Sequence, residues 1–229
     1  TKIDILVTPL ITIGVGTGVA ALMAPPLGKA AMKIGEVIML ATNLQPFLMG
    51  IVVSVLVGAA LTLPISSAAI CAAFGLTGLA GGAAVAGCCA QMIGFAVMSF
   101  KENGWGGLVS QGIGTSMLQM GNIIKNPRIW IAPIVTSAIT GPVATCLFKL
   151  QMNGTAVSSG MGTCGFVGQI GVYSGWVNDV AAGTKSAITM MDWAGLILIS
   201  FVLPAVICPF INWLLKKAGW VKDGDMKLQ

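Results

Sequence analysis

Apolar residues along this chain gather into long unbroken runs, and polar positions are confined mostly to the gaps between them. Ile3–Met23, Phe47–Leu63, Ile129–Phe148 and Trp193–Leu215 are runs of this kind. A hydrocarbon layer about 30 Å thick needs about 20 residues of helix, so each run passes as one membrane crossing. The stretch from Pro64 to Phe100 holds no charged residue, yet it is too long for one crossing and too short for two with a turn. Its middle, Gly75-Leu-Thr-Gly-Leu-Ala-Gly-Gly82, removes helix propensity and permits a backbone reversal. That predicts a half-helix, a re-entrant turn and then a full span. Non-helical backbone survives at membrane depth only where protein or a water-filled cavity satisfies its polar groups.

The same arrangement recurs further along. A shift of 81 residues superposes Leu27 on Leu108, Met39 on Met120, Pro46 on Pro127, Gly81 on Gly162, Gly87 on Gly168 and Gly94 on Gly175. In both copies an amphipathic stretch (Leu27–Asn43; Leu108–Lys125) leads to a proline, a span, a Gly/Ser/Thr-rich interruption and another apolar segment. The second interruption runs from Asn153 to Gly165 and is the more polar of the two. The expected fold is an all-α polytopic membrane protein of about six spans with two Gly-rich re-entrant or broken helices. Gly78, Gly81 and Gly82 make the first re-entrant turn, and Gly160, Gly162 and Gly165 the second. Residues 1–229 then form a single transmembrane domain: a first span (1–26), repeats at 27–107 and 108–188, a last span (189–215) and a basic tail (216–229).

Composition agrees with that class. Hydrophobic residues make up 56% of the chain, charged residues 8%, and the mean hydropathy is +0.92. A soluble domain carries roughly 25% charge, so a water-soluble monomer is excluded. The absence of histidine removes His-based triads, phosphohistidine relays and His-ligated haem or zinc. No catalytic residue, metal site or cofactor is expected. The six cysteines lie in apolar or Gly-rich stretches without a C-x-x-C spacing, and they read as small buried hydrophobes. The net charge of +5 comes from basic residues that occur singly or in pairs between apolar segments, which suits membrane anchoring and not nucleic acid. With six full spans, Lys29, Lys33, Lys101, Lys125, Arg128 and Lys185 fall on one side and Lys2, Lys149, Lys216, Lys217, Lys222 and Lys227 on the other. That balance sets no orientation, although the dense tail cluster beside Trp213 and Trp220 favours a cytoplasmic tail.

Candidate chemistry lies in the neutral polar residues at membrane depth. Interrupted apolar segments at matching places in two halves mark a binding site near the midplane. Thr77, Gln91, Asn153, Thr155, Ser158, Ser159, Thr163 and Gln169 are therefore the candidate solute contacts. Thr62, Gln119 and Asn122 are of the same neutral type. Donor-acceptor groups without charge suit a small neutral polyhydroxyl solute. The competing role for each is a helix-to-helix hydrogen bond, worth about 0.6 to 2 kcal/mol. Gly160-Met-Gly-Thr-Cys-Gly165 fits G-x-G-x-x-G, but no strand precedes it and no acidic residue follows at the required distance. Asn126-Pro127-Arg128-Ile-Trp130 reads as the entrance to a span, with proline at the helix start and a basic residue and Trp at the interface.

The segments Asn126-Pro-Arg-Ile-Trp-Ile-Ala-Pro133, Thr140-Gly-Pro142, Asn153–Gly165 and Gly168-Gln-Ile-Gly171 resemble the membrane (IIC) component family of the bacterial phosphotransferase system that also contains the perfringolysin regulator proteins. The resemblance covers nearly the whole chain. It implies a multi-pass protein of the bacterial inner membrane, dimeric, and assigned to sugar uptake coupled to phosphorylation. The family extends further toward the N-terminus, so the resemblance also implies spans before Thr1. The membrane-embedded Glu motif and functional His of glucose-type IIC proteins are absent here. Phosphoryl carriers of such systems sit on IIA and IIB proteins, so any phosphorylation would need a soluble partner of that kind. Two functions follow from the resemblance: a transport component for a sugar or polyol, or a membrane-bound regulator of the perfringolysin-regulator type.

Overall fold

The computed structural model describes residues 13–26, 28, 29, 33 and 45–228. The start of the first expected span and most of the Leu27–Asn43 stretch lie outside the described residues. Every named element is helical, and the extended pairing among the described residues is a single antiparallel bridge between Gly78 and Met152. The helices are α1 (Ile13–Pro26), α2 (Pro46–Thr62), α3 (Ser67–Ala73), α4 (Gly78–Met98), α5 (Phe100–Val109) and α6 (Met120–Lys125). They continue with α7 (Ile131–Pro142), α8 (Ala156–Ser159), α9 (Val167–Ala181), α10 (Met190–Ile197) and α11 (Leu203–Lys217). Turns of other helical pitch join neighbours, so that Pro127–Leu147 and Met190–Lys217 each run as one helix.

Three helices among the described residues are long and apolar enough to cross a membrane: Gly78–Met98, Pro127–Leu147 and Met190–Lys217. Their burial differs, and the difference places them. The apolar window of α4 is 89% buried, whereas that of Met190–Lys217 is 33% buried and turns Ile197, Val206 and Phe210 outward. An apolar helix that faces outward needs a lipid surround, since water would not tolerate that surface.

Small residues let α2, α4 and α7 come close. At Gly87 a Cβ would collide with the backbone of Ser54, and the position therefore excludes any side chain. Gly50 meets Gly141 and the Ser54 hydroxyl donates to the Ser137 carbonyl at 2.7 Å, so α2 and α7 run antiparallel. Along α11, Cys208 lies 3.4 Å from Met98, beside the C-terminal end of α4.

Both Gly-rich interruptions are real breaks in the helices. The Ser66 hydroxyl accepts from the Ala69 N–H at 3.1 Å and starts α3, which ends in a turn through Gly75 and Gly78, both at positive φ. The reversal is thus made by Gly75 and Gly78, while Gly81 and Gly82 lie inside α4 and allow the 150–152 backbone to approach it. In the second interruption, Gly162 has a φ of 53° and packs on Cys88, halfway along α4. Only glycine combines that dihedral with that contact. Gln169, just beyond the turn, donates to Cys89 at 3.3 Å, and α9 then returns until Gly175 packs on Asn153 and Gly154. The segment from Asn153 to Ala181 therefore enters and leaves at the same end of the molecule. The two interruptions also meet, because Gly78 and Met152 exchange backbone hydrogen bonds at 2.9 Å and the Ser67 hydroxyl donates to the Gly160 carbonyl at 2.7 Å.

The tail does not hang free. After α11 the chain folds back over α5 and α6, burying Val221 and Met226 against Phe95, Met98, Ile123 and Ile129.

Candidate functional site

A polar cavity opens beside the N-terminal end of α4, where the second interruption begins and α9 ends. It holds about 460 Å³ and is lined by Phe148, Lys149, Gln151, Asn153, Trp176 and Asp179, together with Thr184, Lys185 and Asp192. A volume in the range of roughly 300–1,000 Å³ is that of small-molecule sites. Asn153 is presented by the backbone that pairs with Gly78, and its amide donates to Asp179 Oδ2 at 2.7 Å and to Gln151 Oε1 at 3.3 Å. Lys185 Nζ lies 2.7 Å from Asp192 Oδ1 and 5.2 Å from the centre of the Trp176 ring. Asp192 is held in turn by Thr189 through a reciprocal capping box at the start of α10.

The electrostatics of this lining are balanced. Two lysines face two aspartates, with two amides between them, so no single ionic charge is favoured over a neutral solute. Its carboxylates and amides together offer acceptors and donors in quantity, as recognition of several hydroxyls requires. Trp176, itself packed edge-on against Trp193 at 5.7 Å, forms an apolar wall.

Among the eight predicted contacts, Asn153 is the one that lines this cavity. Thr155 and Ser158 sit next to it in sequence but bond to each other at 2.8 Å, and Ser159 is buried and donates to the Ala156 carbonyl. Thr163 lies at the far turn, where its hydroxyl donates to the Gly112 carbonyl at 2.6 Å. Gln169 donates to Ser200 at 3.0 Å and leaves a buried Oε1 without a partner among the described residues. Thr77 precedes α4 and does not cap it through its side chain. Gln91 lies away from the cavity: it is fully buried, with Oε1 accepting from Thr62 at 3.2 Å and from the Trp130 indole at 2.9 Å. A second, mostly apolar cleft of about 430 Å³ lies between the interruptions, reached by Ser66, Ser67, Thr115, Met161 and Cys164.

Sequence reasoning missed the charged half of the lining. Lys149 and Lys185 read as interfacial anchors, and Asp179 and Asp192 merely sit near segment ends; the signal that could have found them is that they fall at the two ends of the segment formed by the second interruption and its return helix α9. It also missed a second polar cluster at the opposite end of the molecule. There Asn103 donates to the Met226 carbonyl and accepts from the Leu228 N–H, both at 2.8 Å, while the Met226 N–H donates to Glu102 at 2.9 Å. Gln119 donates to the Met226 carbonyl at 3.0 Å and to Gln111 at 2.8 Å, Asn122 donates to the Lys227 carbonyl, and Asn126 donates to Asp225. Among the described residues no group of three or more Cys, Asp or Glu is arranged to hold a metal ion.

The family described as "Phosphotransferase system, EIIC" matches residues 1–228 of this chain. Comparison with curated proteins and with solved structures gives no match.

Proposed function

The chain belongs to the phosphotransferase-system EIIC family, and from that premise we propose that it is the part of a membrane transport system that binds and conducts a small neutral polar solute, a sugar or polyol. The observation that carries this reading is the placement of Asn153: a Gly-rich break in an apolar helix region delivers an amide into a charge-balanced polar cavity. A structural amide would be enclosed by its partners, as Gln91 is, whereas Asn153 faces open volume.

In this proposal the chain contributes six membrane-inserted segments, namely α1, α2, α4, Pro127–Leu147, α9 and Met190–Lys217, with the two interruptions re-entrant. The repeats at 27–107 and 108–188 are inverted copies, a reading supported by the opposite directions of α2 and α7 after their matching prolines, Pro46 and Pro127. The meeting of the two interruptions at Ser67, Gly160 and Cys88 is the hinge of alternating access. When they part, Ser158, Ser159 and Thr163 exchange their present partners for solute hydroxyls, and Gln169 already has an acceptor to offer. Placement in the bacterial inner membrane, a homodimer and a soluble IIA/IIB partner complete the proposal, each resting on the family.

Uptake tests it. Cells expressing the protein with its IIA/IIB partners should take up a labelled sugar or polyol saturably, and Asp179→Asn should abolish that uptake while the protein stays in the membrane. Solute binding without any uptake would instead favour a membrane-bound regulator.

A further inference from the structure

The fold-back of the tail changes the charge balance between the two ends of the molecule. Asn103, Gln119, Asn122 and Asn126 hold residues 220–228 against the α5–α6 region, so the tail and the 101–128 segment share one end. That end therefore gathers Lys101, Lys125 and Arg128 together with Lys216, Lys217, Lys222 and Lys227. Lys149 and Lys185 both line the polar cavity at the other end. Among lysines and arginines with a placed end the ratio is seven to two, and it stays at seven to five even if Lys2, Lys29 and Lys33 are all counted with the cavity.

The two ends are a membrane apart. Met226 packs with Phe95 and Met98 at the C-terminus of α4, and Met152 pairs with Gly78 at its N-terminus. A helix of 21 residues spans about 30 Å at 1.5 Å per residue, the thickness of a hydrocarbon core. Two tryptophans mark the tail end as an interface. Lys217 Nζ lies 3.8 Å above the Trp213 ring, Arg128 lies 5.6 Å from that of Trp220, and both rings are about half exposed, at 48% and 49%.

We propose that the tail-clasped end is the cytoplasmic face, its basic rim set against the anionic headgroups of the inner leaflet, and that the Asn153 cavity opens to the outside. Excess lysine and arginine remain on the cytoplasmic side during insertion, and anionic lipid then attracts them. The inference deepens the transport reading and rests on its membrane placement: the cavity is the mouth that meets solute before uptake.

Cysteine labelling decides it. In a background with Cys146→Ser and Cys164→Ser, a single exposed reporter is placed at the cavity by Thr184→Cys, or by Ala182→Cys as a second choice, and at the tail by Asp223→Cys. These changes leave every basic residue in place. A membrane-impermeant maleimide should label the cavity reporter at least tenfold faster in right-side-out spheroplasts than in inverted vesicles, and the tail reporter with the reverse preference. The opposite pattern, or both reporters reacting from one side or equally from both, overturns the orientation. Release of the protein by alkaline carbonate would overturn the membrane placement itself, a different failure that the same preparations reveal.

Discussion

The cavity end and the tail end are built from much the same polar side chains and differ in whether those groups are enclosed. At the tail end Gln111 and Gln119 are fully buried, and each amide donates to a neighbour: Gln111 to Ser99 at 2.8 Å, Gln119 to Gln111 at 2.8 Å, Asn122 to Gln119 at 2.8 Å. The chain ends on the tail backbone, so this network is a clasp. At the cavity end the Asn153 amide donates to Gln151 and to Asp179 but borders open volume. An amide at membrane depth is therefore no sign of a ligand by itself. Enclosure separates the two uses, because a buried group closed in by its partners is out of reach of a solute, whereas one beside open volume can exchange a partner for it.

Four perturbations would break or sharpen this contrast. The largest effect belongs to the packing on which both ends depend. Gly87→Val drives a side chain into the Ser54 backbone and should cost about 3 kcal/mol or more, seen as loss of cooperative thermal unfolding in detergent. Gly106→Ala, where a Cβ meets nothing within 4 Å, is the matched control and should unfold like the parent.

Next comes the clasp. Gln119→Leu strands the acceptor of Gln111 and a donor of Asn122 and removes one bond to the Met226 carbonyl, at about 1–3 kcal/mol for each group left unsatisfied. The thermal midpoint should fall, and trypsin should cut at Lys222 and Lys227 more readily; solute affinity should hold. The cavity predicts the opposite division. Asp179→Asn should weaken solute binding at least tenfold, equivalent to about 1.4 kcal/mol, with unfolding displaced by no more than about 0.5 kcal/mol. Titration calorimetry and a melting curve on the same preparation separate the two.

The smallest effect is a pH response at the tail surface. The Lys216 ammonium beside Asp223 holds that carboxyl below its ordinary value. A depressed carboxylate contributes stability above its unfolded pKa of about 3.9 and loses it as pH falls through the folded value. Asp223 is fully exposed, so Asp223→Asn should leave the melting curve near neutral pH within error and flatten only its acid limb.

Much of this architecture was legible in the sequence, and the illegible part has a common cause. Long apolar runs at α4, Pro127–Leu147 and Met190–Lys217 state their own identity, since helix length and hydropathy are local properties. The glycine clusters are equally local signals, but which glycines turn the chain is not: Gly75 with Gly78 makes the first reversal and Gly81 with Gly82 serves close approach. Which polar groups satisfy one another is not local. Asn103 meets Leu228 across 125 residues and Thr62 meets Gln91 across 29, and no periodicity announces either pairing. The side-by-side reckoning of basic residues failed for a related reason. Six full crossings put residues 179–190 with the 101–128 segment, but α9 starts halfway along α4 and returns to the end it came from. Lys185 thereby joins Lys149, and the tail joins Lys125 and Arg128.

The central claim is that the open amide at the second interruption contacts solute and the closed ones at the clasp do not. Thermal unfolding of the parent, Asn153→Ala, Asp179→Asn and Gln119→Leu proteins should be measured side by side against a panel of neutral sugars and polyols, with sugar phosphates as anionic controls. A ligand at 100 times its Kd adds about 2.7 kcal/mol to a protein that binds it. The account predicts that at least one neutral compound stabilises the parent and Gln119→Leu alike, and that both cavity variants keep no more than about half of that stabilisation at the same concentration. Equal stabilisation of all four proteins, or its loss in Gln119→Leu alone, would contradict it.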